Sequence, residues 1–178
     1  MRVSIICGSA DEEGVTMRMC NSAMELFRSK GHSVELFLPS ELNIAHCRDC
    51  GSCEHDGCII NDDMSEIYDS FSQADLLILS TPIHFSGPSS ILKTVMDRFQ
   101  PFWGNEELGH PDYCISLMCG GSKQPNFEYT ERIIKAFCIT TGMEYRGSLQ
   151  ISDTDSGIDD VKERVENFLS AIIEDKAR

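Results

Sequence analysis

Hydrophobic positions along this chain alternate between two periods. Val3 to Cys7 is a short β-branched apolar run that ends in Gly8-Ser9, the pattern of a strand covered on both faces. From Val15 to Ser29 the spacing becomes helical, with Met19, Ala23, Leu26 and Phe27 on one face. Lys30-Gly31-His32 then supplies the basic and glycine signals of a helix end. Val34 to Leu38 reads as a second strand. Asp62 or Asp63 can cap a helix running to Phe71, with Met64, Ile67, Tyr68 and Phe71 in phase. Leu76 to Leu79 is the most apolar strand and ends at Ser80-Thr81-Pro82. Ser89 or Ser90 opens a helix to about Phe99, and Tyr113 to Met118 is a fourth strand ending in Cys119-Gly120-Gly121. A helix over about 127–141, a fifth strand from Glu144 to Ile151 and a last helix begun by Asp155 or Asp159 complete the pattern.

Five strand–helix alternations predict an α/β fold, a doubly wound five-stranded parallel sheet with helices on both faces. Two strand orders stay open. With 178 residues and no internal repeat or linker, one domain over 1–178 is expected, with a cysteine-rich loop at 45–60 inserted after the second strand. Lys and Arg total 15 against 29 Asp and Glu, a net charge of −14, which argues against nucleic-acid or anionic-membrane partners. No apolar run has the length of a membrane span, and MRVSIICGSA reads as a first strand rather than a signal peptide. A cytoplasmic location is therefore expected, in which nine cysteines are thiols, metal ligands or redox groups rather than structural disulfides.

Open α/β sheets bind ligands at the carboxyl ends of their strands. The loop after strand one, from Gly8 to Thr16, combines Ser9, Gly14, Val15 and Thr16 with a helix start, which suits a phosphate. It has neither the Gly-Lys-Ser/Thr ending of a Walker loop nor GxGxxG. Asp11, Glu12 and Glu13 would repel a phosphate unless they point outward. After strand three, Thr81-Pro82-Ile83-His84-Phe85-Ser86-Gly87-Pro88 is stiffened by two prolines and carries an imidazole and an aromatic ring that could flank a flat ligand. After strand four, Cys119-Gly120-Gly121 would let backbone approach a ligand closely. Together these loops suit a mononucleotide, its phosphate on the first and a flat ring between the other two.

Between His46 and Cys58 the chain places Cys47, Cys50, Cys53 and Cys58. Residue chemistry leaves four readings open. Two-residue gaps let one loop wrap an iron–sulfur cluster, with Gly51 and Gly57 giving freedom to turn. Structural zinc usually takes two separated ligand pairs, which are missing here. A disulfide and unliganded thiols are the other two, and His46 and His55 are spare ligands.

Gly-Ser after strand one, Thr-Pro-Ile-His-Phe at 81–85, and the following Leu92-Lys93 and Asp97-Arg98 resemble the NADPH-dependent FMN reductase-like proteins of flavodoxin fold. His84 stands where that group usually has tyrosine. Within the group, the four cysteines followed by Asp62-Asp63-Met64 resemble the iron–sulfur flavoproteins. The resemblance implies a flavodoxin-like sheet, bound FMN and a [4Fe–4S] cluster on Cys47, Cys50, Cys53 and Cys58. It also implies a homodimer or homotetramer in which one subunit's cluster lies near another's flavin, and NAD(P)H or a redox protein as electron partner. The implied activity is a flavin-dependent oxidoreductase passing electrons between FMN and the cluster. Two alternatives are a cluster-free NAD(P)H-dependent FMN or quinone reductase and a non-enzymatic electron carrier. The flavin carries the chemistry in each case, so no protein side chain is assigned a catalytic role. His84 is the one worth testing.

Overall fold

A computed structural model describes residues 1–54, 57–105 and 107–175. In chain order the elements are β1 (Arg2–Cys7), α1 (Val15–Ser29), β2 (Ser33–Phe37), α2 (Met64–Gln73), β3 (Leu76–His84), β4 (Gly87–Pro88), α3 (Ser90–Asp97), β5 (Tyr113–Cys119), α4 (Glu128–Thr140), β6 (Glu144–Ile151) and α5 (Val161–Asp175). The sheet order is β2-β1-β3-β5-β6, all parallel, with β4 pairing antiparallel to β3 off the main path. This is the flavodoxin-like order, and it selects between the two that periodicity allowed.

The apolar strands are continuous because both of their faces are buried. Along β1, Val3, Ile5 and Cys7 join the cluster under α1 and α5, while Ile6 joins the one under α2, α3 and α4. Along β3, Leu76 and Ile78 face the first cluster and Leu77 and Leu79 the second. Each such fully buried aliphatic side chain contributes about 1.5–3 kcal/mol over exposure. On the second face the rings of Phe71, Phe99 and Phe102 pack at centroid distances of 4.7–5.4 Å, and Phe137 meets Phe99 at 5.3 Å.

Three expectations shift. The sheet gains a sixth, two-residue strand, because the chain after Ser80 is not a loop: β3 runs on through Thr81, Pro82 and Ile83, paired to β5 as far as Pro82–Cys119. Pairing with β1 ends at Cys7–Ser80, so Pro82 sits where the strand has one partner fewer, a position that tolerates a missing N–H. The last helix starts at Val161, and Asp155 lies in a short 3₁₀ turn (Thr154–Ser156) before it. Ser89, by contrast, caps α3 as expected, its hydroxyl accepting the Leu92 amide at 3.1 Å. No helix among the described residues is long and apolar enough to cross a membrane.

Candidate functional site

The carboxyl ends of β1, β3, β5 and β6 open onto one cleft of about 1050 Å³, at the upper end of the usual size for small-molecule sites. Of the expected contacts, Ser9, Gly14, Val15, Thr16, Pro82, Ile83, His84, Phe85, Cys119, Gly120 and Gly121 line it. Thr81 and Gly87 do not. The Thr81 side chain is fully buried, donating to the Pro82 carbonyl at 2.8 Å and accepting the Ser89 amide at 2.9 Å. It braces β3 against α3. Gly87 is spent in β4, opposite His84.

The first loop is shaped by α3. The Gly8 amide donates to the Ser80 carbonyl at 2.7 Å, and the Ser89 hydroxyl donates to the Gly8 carbonyl at 2.5 Å. A Cβ on Gly8 would stand 2.8 Å from the Leu92 Cβ, so only glycine lets the helix come this close. No side chain caps α1 at Gly14, which leaves first-turn amides and the positive end of the helix to the cleft. The acids do not all point away. The Asp11 carboxylate accepts the Glu13 amide at 3.1 Å, and its other oxygen lies 2.7 Å from the place a Cβ on Gly14 would take. Asp11, Glu13 and Asp155 line the cleft, and no lysine or arginine does among the described residues. An anion held here would rest on neutral donors and the helix end, with no cationic side chain among the described lining residues.

On the opposite side, β3 and β4 form a hairpin whose two turn residues, Phe85 and Ser86, have φ of +50° and +64°, as a type I′ turn requires. Thr130 on α4 donates to the Ser86 carbonyl at 3.2 Å and pins the turn, leaving Phe85 fully exposed at the tip. The glycines after β5 have a reason the sequence did not show. A Cβ on Gly120 would meet Pro125 at 2.4 Å, and one on Gly121 would meet the Asp155 carboxylate at 2.4 Å. The Asp153 amide donates to the Ser122 carbonyl at 2.8 Å, so the loops after β5 and β6 are zipped together. The Cys119 sulfur turns inward to the Thr16 hydroxyl at 3.2 Å, and burial pushes this thiol up from its ordinary value.

The cysteine loop stands on a stem. The Asn43 amide donates to the Asp63 carboxylate at 2.6 Å and the Asp63 amide to the Asn43 carbonyl at 3.2 Å. Next to it the Ala45 amide reaches Asp62 at 2.9 Å. Burial pushes the Asp62 carboxyl up, but the Arg98 guanidinium and the Ala45 and Met64 amides outweigh it and hold the group below its ordinary value. Beyond the stem, Cys47, Cys50, Cys53 and Cys58 border one concavity of about 800 Å³, together with Trp103. None of them is in a disulfide. Burial, followed by the charges of Cys58, Cys50 and Cys47, pushes the Cys53 thiol up, a sign of how near the sulfurs are to one another. The Asp49 amide points to the Cys47 sulfur at 3.5 Å, and Gly51 and Gly57 take φ of +74° and +78°. Among the described residues no three His, Cys, Asp or Glu side chains gather closely enough to hold a single ion. His55 lies outside the described residues.

Sequence reasoning missed the cleft's fourth wall, Thr154 and Asp155, along with Gln124 and Asn126 after β5. The parallel order was itself the available signal: every carboxyl end shares one rim, so the loop after the last strand belonged with the others. It also missed the role of Arg98, which ends α3 just after the paired Lys93 and Asp97.

A model of the NADPH-dependent FMN reductase family matches residues 1–153. An iron–sulfur flavoprotein of Methanocaldococcus jannaschii is 31% identical over 146 residues, covering 80% of this chain and 73% of that protein. A second from the same organism is 34% identical over 102 residues, covering 57% and 53%, so the chain spans about half the length of that relative. Among solved structures, an FMN-dependent NADH-azoreductase of Bacillus anthracis in complex with FMN superposes with a TM-score of 0.70 at 16% identity, covering 97% of this chain and 99% of that one, a likeness of fold.

Proposed function

The chain belongs to the NADPH-dependent FMN reductase family, and on that premise we propose that it is an FMN-dependent oxidoreductase that takes electrons from NAD(P)H or a redox protein and passes them between FMN and a [4Fe–4S] cluster on Cys47, Cys50, Cys53 and Cys58. The observation that carries the flavin half is the convergence of four strand ends on one cleft with free helix amides at one side and an aromatic hairpin at the other. When bound, FMN accepts electrons in pairs or singly and a cluster passes them one at a time. The residues around them would bind and orient: Val15 and Thr16 amides would hold the phosphate, and Pro82, Ile83, His84, Gly120 and Gly121 would frame the ring.

The cluster half rests on the donor set. Four free thiols share one concavity, with an amide and a guanidinium aimed at two of the sulfurs. A single tetrahedral zinc at about 2.3 Å from each sulfur would need them gathered tightly; the wider spacing suits a larger group. The names of the curated relatives point the same way. Exposed Phe85 and Trp103, at 107% and 65%, border the two sites and suit the proposed homodimer or homotetramer. Nine unpaired cysteines suit the reducing cytoplasm.

Protein purified without oxygen tests the reading. One FMN with about four iron and four sulfide per chain supports both halves. FMN without iron leaves a flavin-only NAD(P)H reductase, and no flavin overturns the reading.

A further inference from the structure

We propose that Arg98 is the positioning residue of the cysteine loop: with Asp62 it buckles the loop shut at its base and sets a permanent positive charge against the Cys58 sulfur. The second part rests on the cysteine-ligated centre proposed above; the first does not.

Arg98 closes α3 at its carboxyl end and is 1% exposed. Its neighbour Asp97 faces outward and pairs with Lys93, one turn back. Arg98 turns inward, and its contacts converge on the two ends of the loop. One terminal nitrogen donates to the Ala45 carbonyl at 2.7 Å and to Asp62 at 2.6 Å. The other donates to Asp62 at 3.0 Å, to the Ile60 carbonyl at 3.4 Å and to the Cys58 sulfur at 3.5 Å. Asp62 in turn takes the Ala45 and Met64 amides. One planar fork thus spans the chain before the first cysteine and after the last, a task that suits arginine and not lysine.

Stability alone does not account for this arrangement. A buried ion pair gives little net stability over apolar side chains of the same volume, and Arg98 Nε has no partner among the described residues. An apolar pair could supply neither the bridges to the Ala45 and Ile60 carbonyls nor the contact to the Cys58 sulfur. Thiolates that hold a metal centre carry negative charge, and a donor fixed against one of them orients it and balances that charge. Adding an electron to such a centre increases the negative charge beside Arg98, so the cation favours the reduced state and raises the potential.

Three variants separate closure from charge. In R98K the ammonium keeps the charge near Cys58 but cannot bridge Ala45, Asp62 and Ile60 together. In R98M a lone buried carboxylate is left behind. In the double variant R98M/D62L both charges are gone and an apolar pair takes their place, so no lone buried charge is left behind. Hydrogen exchange of the metal-free proteins reads closure. Amides at 45–47 and 58–62 should exchange at least tenfold faster in all three variants, with FMN still bound at one per chain. After anaerobic reconstitution, iron and sulfide should fall by more than half in R98M/D62L. The midpoint of the fraction that loads should move to lower potential there and stay near wild type in R98K. Wild-type exchange in R98M/D62L overturns the buckle, as does loss of FMN in parallel with iron. A potential in R98K shifted as far as in the double variant overturns the charge. Should the wild-type chain take up no iron at all, the cluster reading and the charge fall together, and the exchange comparison still decides the buckle.

Discussion

Asp11 lines the cleft beside Gly14, at the loop proposed to take a phosphate. Its carboxylate accepts the Glu13 amide beside Gly14, and no cation lines the cleft to offset it among the described residues. Replacing it with serine keeps a short side chain for the turn and removes the charge. Asp11→Ser should tighten FMN several-fold and leave riboflavin, which has no phosphate, unchanged; fluorescence titration of both flavins checks this, and equal gains for both would show that the charge is not the cause. The residues of this loop were legible, and so was the conflict of three acids with a phosphate. Which acid lies against Gly14 was not, because it depends on a side chain folding back onto an amide two residues on. Thr81 shows the same limit. Its hydroxyl type suited a ligand, but its register in β3 points it at the Ser89 amide.

At the scale of elements, α3 ties the two candidate sites together. Its amino end, through Ser89, meets Gly8 under the first loop, and its carboxyl end, through Arg98, meets the cysteine loop. Eight helical residues span about 12 Å, so crowding at one end is felt within that reach of the other. Gly8→Ala would drive a Cβ to 2.8 Å from Leu92 and 2.9 Å from the Ser80 carbonyl. It should destabilise by about 1–3 kcal/mol and lower FMN affinity, read by thermal melts with and without FMN. The β3–β4 hairpin holds two side-chain-bearing residues at positive φ, which costs about 1–2 kcal/mol per residue. The pair Phe85→Asn and Ser86→Gly supplies the residues such a turn favours, so the melting temperature should rise. A fall in turnover alongside it would show that the Phe85 ring serves the reaction. Helices and buried strands were readable because caps and continuous apolar runs report them directly. The hairpin was not, since two prolines and a glycine read as loop until the neighbouring strands are known to end where they do.

The whole molecule is an acidic scaffold whose recesses include the cleft at the strand ends and the concavity at the cysteines. The sheet order followed from alternating periods plus one choice that only packing makes, and the cleft followed from the rule that such sheets bind at their strand ends. Asp97-Arg98 was legible as part of the family resemblance, but what Arg98 does was not, because its partners come from residues 45, 58, 60 and 62. The stem beneath the cysteines has its own outcome. Asn43 and Asp63 lie side by side, so residues 46–61 leave and rejoin the scaffold at one spot. A chain with that stretch replaced by a glycine pair should fold, bind FMN and hold no iron, as circular dichroism, flavin absorbance and metal content would report; a chain that loses its flavin as well would tie the segment to the core. On the first outcome the segment would be a detachable cassette. One in-frame deletion would turn a two-centre ancestor into a flavin-only descendant, and one insertion at the same seam would do the reverse, with the sheet unchanged through both.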